Sequence, residues 1–464
     1  MVKFRIEKDS LGNIKVPSDK LWGAQTQRSV QNFKIGVGKF HFQEDFIKAL
    51  AFQKKAAALT NAQLKLKLMN NKHALMIGKV CDEIIYGKLN DHFPLVIWQT
   101  GSGTQINMNF NEVIANKSNL LLGSKLPSNK PLHPNDDINK SQSSNDTIPT
   151  AMHLATLISL NEKLLPEIKD IKMSIKIKIK EFKNIIKIGR THTQDATPLR
   201  LSDEFSAYLA QLEYAEKTIK KSFSKLLEIA QGGTAVGSGI NANKNFGKLF
   251  AKNLKKITKF SFKTAPNKFE SLSSHDVFIE VMSGLEILTS TLFKMANDIR
   301  VLSSGPRSGI AELILPANEP GSSIMPGKIN PTQCEALSMV CAHVIGLKSS
   351  IMFSCSQGHF QLNVYNPVII HNTLDSINLL SDSIRSFNLN CLEGLQANKK
   401  RIDELLNNSL MLVTPLTKVI GYDLSSKVAL NAHKKGITLK ESCLELTDLS
   451  SKEFDTLTDP KKMV

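Results

Sequence analysis

Residues 202–233 read SDEFSAYLAQLEYAEKTIKKSFSKLLEIAQGG, and this stretch indicates the fold class. Ser202 is a good N-cap, and the acidic Asp203 and Glu204 that follow it suit the positive end of a helix dipole. Apolar residues then recur at steps of three and four, and Gly232 marks the end of the pattern. We therefore expect one continuous helix of about 28 residues, roughly 42 Å long.

Long helical patterns also occupy four other stretches, at about 150–187, 276–303, 331–355 and 367–392. Pro166 lies inside the first of these and is expected to kink or break it, because proline removes an N–H donor. Several long helices without strands between them predict a helical bundle rather than an α/β sheet. Apolar residues that spread over more than one helix face predict packing against other subunits. The expected fold class is mainly α, with a central bundle of long helices.

The chain divides into three segments that differ in their pattern of turns and helical stretches. Residues 1–138 alternate turns with moderate helical stretches, residues 139–396 carry the long helices, and residues 397–464 resemble a small helical domain. We expect an N-terminal domain, a central bundle and a C-terminal domain with these bounds.

Composition and charge exclude several classes of protein. The net charge is +17, but 51 of the 59 basic residues are lysines and only 8 are arginines, whereas nucleic-acid readers favour the arginine fork. We expect no nucleic-acid partner. No apolar run approaches the roughly 18 residues that cross a bilayer, so no membrane partner is expected. Glu7 and Asp9 in a first segment without an apolar core argue against a targeting peptide, and we expect a cytoplasmic protein.

The six cysteines lie at positions 81, 334, 341, 355, 391 and 443, without a C-x-x-C pair. Their spacing suits neither a zinc site nor a compact iron–sulfur site. We expect reduced thiols used as small core residues, and neither a metal nor another cofactor.

Four polar stretches have a composition that suits a small anion: 99–105 (QTGSGTQ), 141–146 (SQSSND), 189–195 (GRTHTQD) and 319–331 (EPGSSIMPGKINP). Glycines let the backbone approach a ligand, hydroxyls and amides donate hydrogen bonds, and a helix N-terminus attracts carboxylates. Each stretch alone is also compatible with an ordinary turn or cap. Together they supply neutral donors, a lysine, a histidine and a carboxylate, which suits proton transfer on a small dianion.

The last of these stretches leads into a predicted helix. We expect Asn330 to be its N-cap and Pro331 its first residue, with Glu335 about one turn inside.

Residues 321–331, GSSIMPGKINP, resemble the signature of the fumarase/aspartase superfamily, and the continuation TQCE at 332–335 resembles its class II fumarase version. WGAQTQRS at 22–29, HPND at 133–136 and GRTH at 189–192 are similar to other motifs of the same class. The motifs occur in family order from Trp22 to about Tyr422, so the resemblance covers essentially the whole chain.

The resemblance implies a three-domain, mostly helical subunit whose central helices form the core of a homotetramer. Each active site of such proteins is built from three subunits. The implied reaction is the reversible hydration of fumarate to L-malate, a step of the tricarboxylic acid cycle. Acid/base catalysis through an aci-carboxylate intermediate is implied, without a metal or other cofactor.

The resemblance also assigns residues. Ser322 would remove the C3 proton of malate, Lys328 would stabilise the developing charge, and His192, paired with Glu335, would serve the water side. The residues implied to bind substrate are Ser102, Gly103, Thr104, Ser143, Ser144, Asn145, Thr191, Ser323, Lys328 and Asn330. A secondary dicarboxylate site is implied at His133, Pro134, Asn135 and Asp136.

Two alternatives stay open on the sequence. Aspartate ammonia-lyase shares the Ser-Ser-Ile-Met-Pro loop, and its substrate, aspartate rather than malate, would distinguish it. A protein of this fold that has lost catalysis and serves in binding is the other alternative, but intact Ser322, Lys328, His192 and Glu335 argue against it.

Overall fold

A computed structural model describes residues 3–65 and 69–464 of the chain. Within these residues the protein is mainly helical, and the sheets are four two-stranded ones. The helices of the first part are α1 (Ala24–Asn32), α2 (Glu44–Gln63), α3 (Asn71–Ile85), α4 (Thr104–Leu121), α5 (Ser144–Ser159), α6 (Leu165–Glu181), α7 (Leu201–Lys221), α8 (Phe223–Leu226) and α9 (Phe246–Thr258). Those of the second part are α10 (Lys268–Ser273), α11 (Asp276–Leu302), α12 (Thr332–Cys355), α13 (Asn366–Phe387), α14 (Lys399–Asn407), α15 (Thr417–Ile420), α16 (Tyr422–Lys435), α17 (Leu439–Leu446) and α18 (Ser451–Leu457). The prediction of a mainly α fold is confirmed.

The strands are short, and two of the four pairs are local hairpins while the other two join strands that are distant in sequence. They are β1 (Phe4–Asp9), β2 (Gly12–Pro17), β3 (Ile186–Thr191), β4 (Gln194–Arg200), β5 (Glu228–Ile229), β6 (Lys263–Thr264), β7 (Leu313–Ile314) and β8 (Gln396–Ala397). β1 pairs with β2 and β3 with β4 as antiparallel hairpins, β7 pairs antiparallel with β8, and β5 pairs parallel with β6. The hairpin of β3 and β4 carries one of the predicted site motifs at its tip.

Three of the predicted long helices are present within one residue of their expected starts. α11, α12 and α13 match, and a π-helical turn, Asn388–Leu392, continues α13 to its expected end. The helix expected at 150–187 is broken by a π-helical turn, Leu160–Leu164, directly before the turn that contains Pro166. The predicted break near Pro166 is thus confirmed, because the wider turn accommodates the missing N–H donor.

The continuous helix of about 28 residues from Ser202 is wrong. α7 has 21 residues and already begins at Leu201, with the Asp203 carboxylate accepting the Arg200 N–H at 3.1 Å. The helix ends before Ser222, whose buried hydroxyl donates to the Ile219 carbonyl at 2.7 Å. A serine that bonds a preceding carbonyl competes with helix propagation, and this break separates α7 from the short α8.

The chain forms two compact units. The first comprises residues 1–166, 216–287 and 342–380, and in it α2 packs against α3, α5 and α9. The second comprises residues 167–215, 288–341 and 381–464. Its C-terminal part has a small apolar core of Leu406, Leu412, Val413, Leu416, Val428, Leu439, Cys443 and Phe454. The three sequence segments at 1–138, 139–396 and 397–464 stay a prediction.

Helix α12 has an unusual surface. In the described parts of the chain it is the one helix long and apolar enough to span a membrane by length and composition, with a mean hydropathy of 1.5. Glu335 and Lys348 interrupt the apolar run of this helix, so the expectation that no uninterrupted run approaches roughly 18 residues is not contradicted. Only 22% of the most apolar part of α12 is buried within one chain, and the side chains of Met339 and Phe353 are exposed. A face of this kind is what we expect of a helix that packs against other copies of the chain.

Candidate active site

The turn before α4 places two hydroxyl groups at a helix N-terminus. Gly103 adopts a left-handed φ of 74° and precedes the first helical residue, Thr104. A Cβ on Gly101 would lie 1.4 Å from the Val364 carbonyl oxygen, so no side chain fits there. Ser102 is buried, and its Oγ lies 2.9 Å from the Thr104 Oγ1. Free N–H groups and hydroxyls therefore converge where a carboxylate can bind.

The second segment opens α5 in the same manner. Ser143 caps the helix, accepting the Asn145 N–H at 3.2 Å, while its own N–H donates to the Asp146 carboxylate at 3.0 Å. The Ser144 Oγ accepts from the Asn107 side chain of α4 at 2.9 Å. The structure thus joins the segments 102–104 and 143–145 through one buried asparagine.

Asp146 connects this helix start to a second loop. Its carboxylate accepts the N–H groups of Gly232 and Thr234, each at 2.9 Å. Burial raises the pKa of Asp146 to about 6, against the opposing effect of these hydrogen bonds. The Asn145 side chain donates to the Ala235 carbonyl at 2.7 Å, which fixes the same loop. These hydrogen bonds hold the segment 143–145 and the loop that contains Gly232 and Thr234 together.

His192 lies at the tip of the β3–β4 hairpin. Thr191 pairs with Gln194, so His192 and Thr193 form a two-residue turn in which both have positive φ, 55° and 62°. Such a turn matches the twist of a hairpin but normally uses glycine or asparagine, and a β-branched threonine there is strained. Strain held by surrounding structure is typical of functional sites. Thr191 and His192 are both exposed.

A buried charge network holds this hairpin. The Arg190 guanidinium binds both oxygens of Glu312, at 2.9 and 3.1 Å, and Glu312 is fully buried. The Lys187 ammonium lies 3.1 Å from Glu312 and 2.7 Å from Glu204. Burial raises the pKa of Glu204, while Lys187 lowers it. No sequence motif pointed to Glu312, since it lies 122 positions from Arg190.

The loop that carries the family signature is closed by its own backbone. The Gly321 N–H donates to the Lys328 carbonyl at 2.9 Å, and a Cβ on Gly321 would lie 2.3 Å from that oxygen. The Asn330 side chain donates to the Gly321 carbonyl. Inside this closed loop the Ser322 Oγ accepts two backbone N–H groups, those of Ile324 at 3.2 Å and Met325 at 3.0 Å. Two such donors stabilise negative charge on the oxygen.

The remaining predicted residues of this loop are accessible. Ser323 and Lys328 are exposed, and Asn330 is half-buried. The predicted cap at Asn330 is one residue too early, because the Pro331 carbonyl accepts the first helical N–H, that of Glu335, at 3.1 Å. The Asn330 amide is engaged in closing the loop instead.

Glu335 lies exposed in the first turn of α12. Among the residues described in one chain, no side-chain hydrogen bond or ion pair joins His192 to Ser322, Lys328 or Glu335. The pairing of His192 with Glu335 stays a prediction for the assembled protein.

The four residues of the implied secondary site lie in one turn. His133 caps the π-helical turn Pro134–Ile138, its Nδ1 accepting the N–H groups of Asn135 at 3.2 Å and Asp136 at 3.3 Å. A cavity of about 230 Å³ borders this turn, and the carboxylates of Glu7, Asp9 and Glu112 line it as well. These carboxylates are bound by Arg5, Arg28 and the N–H groups of Gly23, Gln25 and Thr26, respectively. The dicarboxylate role of this site stays a prediction.

Two expectations concern metals and thiols. All six cysteines are free and buried, which confirms their role as small core residues. In the described ranges, no three His, Cys, Asp or Glu side chains are grouped so that they could hold a metal ion.

Comparison with known proteins tests the resemblance. A family model described as "Lyase" matches residues 12–346, and a model of the fumarase C C-terminus matches residues 412–464. Fumarate hydratase class II 2 of Bradyrhizobium diazoefficiens is 53% identical over 459 residues, which are 99% of this chain and 96% of that protein. The chain belongs to the class II fumarase family.

Other relatives of this family agree. The mitochondrial fumarate hydratase of Homo sapiens is 53% identical over 461 residues, 99% of this chain and 90% of that protein. The crystal structure of class II fumarase from Schistosoma mansoni matches with a TM-score of 0.96 and 43% identity, covering 99% of both chains. A fumarate lyase:delta crystallin structure from Brucella melitensis, bound to cobalt, matches with a TM-score of 0.94 and 37% identity over 99% of both chains.

Membership in the class II fumarases confirms the predicted family, its fold and its enzyme class, fumarate hydratase, and it disfavours the ammonia-lyase alternative. A dicarboxylate substrate and an oligomeric assembly accompany the family. The roles of individual residues are not carried by these matches, and they rest on the geometry of the site.

Proposed function

We propose that the chain catalyses the reversible addition of water to fumarate, giving L-malate, as a step of the tricarboxylic acid cycle. The observation that carries this proposal is the Ser322 Oγ, which receives two backbone N–H groups inside the closed signature loop. A serine hydroxyl is a very weak acid, so almost none of it is present at neutral pH as the alkoxide that could act as a base. In this proposal the two fixed donors and the positive charge of Lys328, six residues further along the same loop, stabilise the alkoxide and so allow Ser322 to serve as the base.

In the malate-to-fumarate direction, Ser322 takes the proton from C3, and the electron pair of that C–H bond moves into the adjacent carboxylate. The resulting aci-carboxylate carries a second negative charge, which Lys328 and the loop N–H groups stabilise. The electron pair held by the aci-carboxylate then forms the C2=C3 double bond, the C2–O bond breaks with its own pair leaving on hydroxide, and this hydroxide is protonated to water. His192, oriented by Glu335 and acting through a bound water, donates that proton.

The helix N-termini of α4 and α5 hold the substrate carboxylates in this proposal. Ser102, Gly103 and Thr104 lie at the first terminus, and Ser143 to Asn145 at the second. The N–H groups of Gly103, Ser143 and Asn145 are engaged in turn and capping bonds, so the proposal assigns the anion to the positive helix ends and to the N–H groups of the first helical residues, Thr104 and Ser144. Binding by neutral donors suits a substrate that must leave again as product, because it avoids the tighter hold of several fixed cations.

The assembly we propose is a homotetramer with each site shared by three subunits. Thr191 and His192 belong to one contributing chain, and Ser323, Lys328 and Asn330 to another. Two features support it: α12 is apolar and only a small part of it is buried in one chain, and no hydrogen bond or ion pair of the described residues joins the His192 side chain to Ser322, Lys328 or Glu335.

A cytoplasmic location is also proposed. Residues 4–17, which include Glu7 and Asp9, form the β1–β2 hairpin, and the Asp9 carboxylate binds Arg28 of α1 at 2.7 Å. This segment is therefore a part of the folded enzyme. Fractionation of cells that express the tagged chain tests the proposal, and recovery in an organelle would contradict it.

The activity test follows fumarate absorbance while the purified protein turns over L-malate in excess chelator, with L-aspartate in parallel. We expect turnover of malate that survives chelation, none of aspartate, and a tetramer by light scattering. Loss of activity in chelator would contradict metal-independent catalysis. Activity on aspartate alone would contradict the proposed reaction.

A further inference from the structure

Lys54 is a lysine inside the first compact unit that the mechanism above does not use. It lies on α2, only 1% of the residue is exposed, and both of its hydrogen-bond partners are amide oxygens. Its Nζ donates to the Asn139 Oδ1 at 3.2 Å and to the Gln142 Oε1 at 3.1 Å. A buried ammonium is costly, so its retention without a direct carboxylate contact calls for a reason.

These partners lead directly to the binding segment. The Asn139 side chain donates to the Gln142 carbonyl at 3.2 Å, one residue before Ser143. The Asn107 side chain bridges the Asn139 Oδ1 at 3.2 Å and the Ser144 Oγ at 2.9 Å. The ammonium of Lys54 is therefore connected to the start of α5 by two routes. Asn139 links it to the Gln142 carbonyl, and Asn139 and Asn107 together link it to the Ser144 hydroxyl.

The two amide oxygens keep other donors without Lys54. The Gln142 Oε1 also accepts from Gln53 at 3.0 Å, and the Asn139 Oδ1 from Asn107 at 3.2 Å. Truncation of Lys54 therefore leaves neither acceptor orphaned, so its main effect is loss of charge.

Few charged groups face this lysine. Burial lowers the pKa of Lys54 to about 7, while the Asp146 carboxylate of α5 raises it. The Cys81 thiol of α3 is the other titratable neighbour, and because burial raises its pKa to about 12 it stays neutral. Helix α9 also packs on α2, where it presents the neutral Asn253 to Thr60 and Gln63. The local charge is thus set by Lys54 and Asp146.

We propose that Lys54 is a positioning residue for the dianionic substrate: its ammonium form orders the turn of Asn139 and Gln142 and offsets the buried charge of Asp146 beside Ser143–Asn145. When Lys54 loses its proton, the Asp146 carboxylate is left uncompensated and repels a substrate carboxylate at the same helix start. The inference rests on the proposed binding of that carboxylate at Ser143–Asn145. Substrate affinity should then fall as pH rises through neutrality.

The experiment compares Lys54→Met with Lys55→Met. Lys55 is the next residue of the same helix, but its Nζ binds the half-exposed Asp82 at 2.7 and 2.9 Å. KM and kcat for L-malate are measured at pH 6.5 and 8.5, together with the Kd of succinate, a dianion that is not turned over. At pH 6.5 most of Asp146 is ionised, since its pKa is about 6, and most of Lys54 is protonated, since its pKa is about 7. At this pH we expect Lys54→Met to raise KM and Kd about fivefold, the effect of roughly 0.7 pKa unit of charge interaction. We expect kcat to change by less than about threefold and Lys55→Met to stay within about twofold.

The pH dependence distinguishes an effect of the positive charge of Lys54 from an effect of the packing of its side chain. At pH 8.5 wild-type Lys54 is neutral, so the variant-to-wild-type ratios should approach one, and effects of other titrating groups cancel in the ratio. Lys54→Arg cannot lose its charge and should keep the low Kd at both pH values. It also decides the matter if Lys54→Met does not fold.

Two outcomes would overturn the proposal: ratios for Lys54→Met that do not change with pH, or a Lys54→Arg variant that loses affinity with pH as wild type does. Failure of the proposed function looks different. In that case the wild-type enzyme does not turn over malate, while the succinate measurement still tests Lys54.

Discussion

The start of α5 and the loop at 321–331, the two regions proposed to act on the substrate, are built on different principles. Ser143 at the start of α5 belongs to a capping box, and the buried Asp146 below it binds a second loop. The signature loop is exposed from Ser323 to Ile329, and its closing bonds run within the loop itself. One region is fixed by the interior of its own unit, and the other is fixed only locally.

This difference separates binding from chemistry. A segment held by buried partners presents the same donors with or without substrate, which lowers the ordering entropy that binding must overcome. A loop held by its own backbone keeps the Ser322 environment intact, yet it can move as a body when substrate or another subunit arrives. We therefore expect mutations at the start of α5 to change affinity and mutation of Ser322 in the loop to change turnover.

The largest expected effect is that of Ser322→Ala. Loss of a general base should lower kcat by about a thousandfold, with KM changed by less than about threefold. Steady-state kinetics on malate measures both. Ser323→Ala, one residue further along, is the matched control and should raise KM more than it lowers kcat. Equal losses of kcat in the two variants would refute the distinct role of Ser322.

The second effect concerns the hairpin that presents His192. Glu312→Gln leaves Arg190 without its buried partner, and we expect a loss of about 3 kcal/mol in the free energy of unfolding. Denaturant melts measure it. Asp455→Asn is the control, because its pair with Lys440 is exposed and should contribute less than about 0.5 kcal/mol. Similar losses for both substitutions would contradict the anchoring role of the network.

The third effect is a pH dependence from Asp146. Its pKa is about 6 in the folded protein and 3.8 ordinarily, so between these values the folded state binds more protons than the unfolded state. Stability contributed by this group therefore falls as pH rises towards 6 and is constant above it. Relative to Asp146→Asn, wild type should be less stable at pH 7 than at pH 5 by roughly 1 to 2 kcal/mol. Melts at both pH values test this, and a gap that does not change with pH would contradict it.

The smallest effect distinguishes a helix N-cap that is proposed to bind substrate from an N-cap that has only a structural role. Ser143→Ala should cost about 1 kcal/mol of stability, as should Ser450→Ala, because both serines form capping boxes. Only Ser143→Ala should also raise the KM for malate. If the KM of both variants equals that of wild type, Ser143 has a structural role alone.

Sequence patterns predicted the long helices well, because apolar spacing is a local property. α11 and α12 were placed within one residue, whereas the end of α7 was not, since Ser222 acts through a hydrogen bond that its residue type does not guarantee. The family motifs located the residues of the candidate site, but they did not predict the buried hydrogen bonds and ion pairs that position those residues.

Lys54 and Lys55 illustrate the limit. They are identical neighbours in the sequence, and only the packing of α2 buries one fully and leaves the other partly exposed. Glu312 is a similar case, since its partner Arg190 is far away along the chain. Long-range pairing of charges has no local signal in a single sequence.

The two left-handed residues at the hairpin tip imply a conflict between stability and activity. At position 193 a glycine or asparagine would relax the turn and make the folded chain more stable. In the proposed mechanism the same relaxation would loosen the backbone that orients the His192 ring, and proton transfer by His192 requires that orientation. Substitutions at the tip that are chosen only because they stabilise the folded chain are therefore expected to lower the activity. A search for more stable variants should leave residues 192 and 193 unchanged.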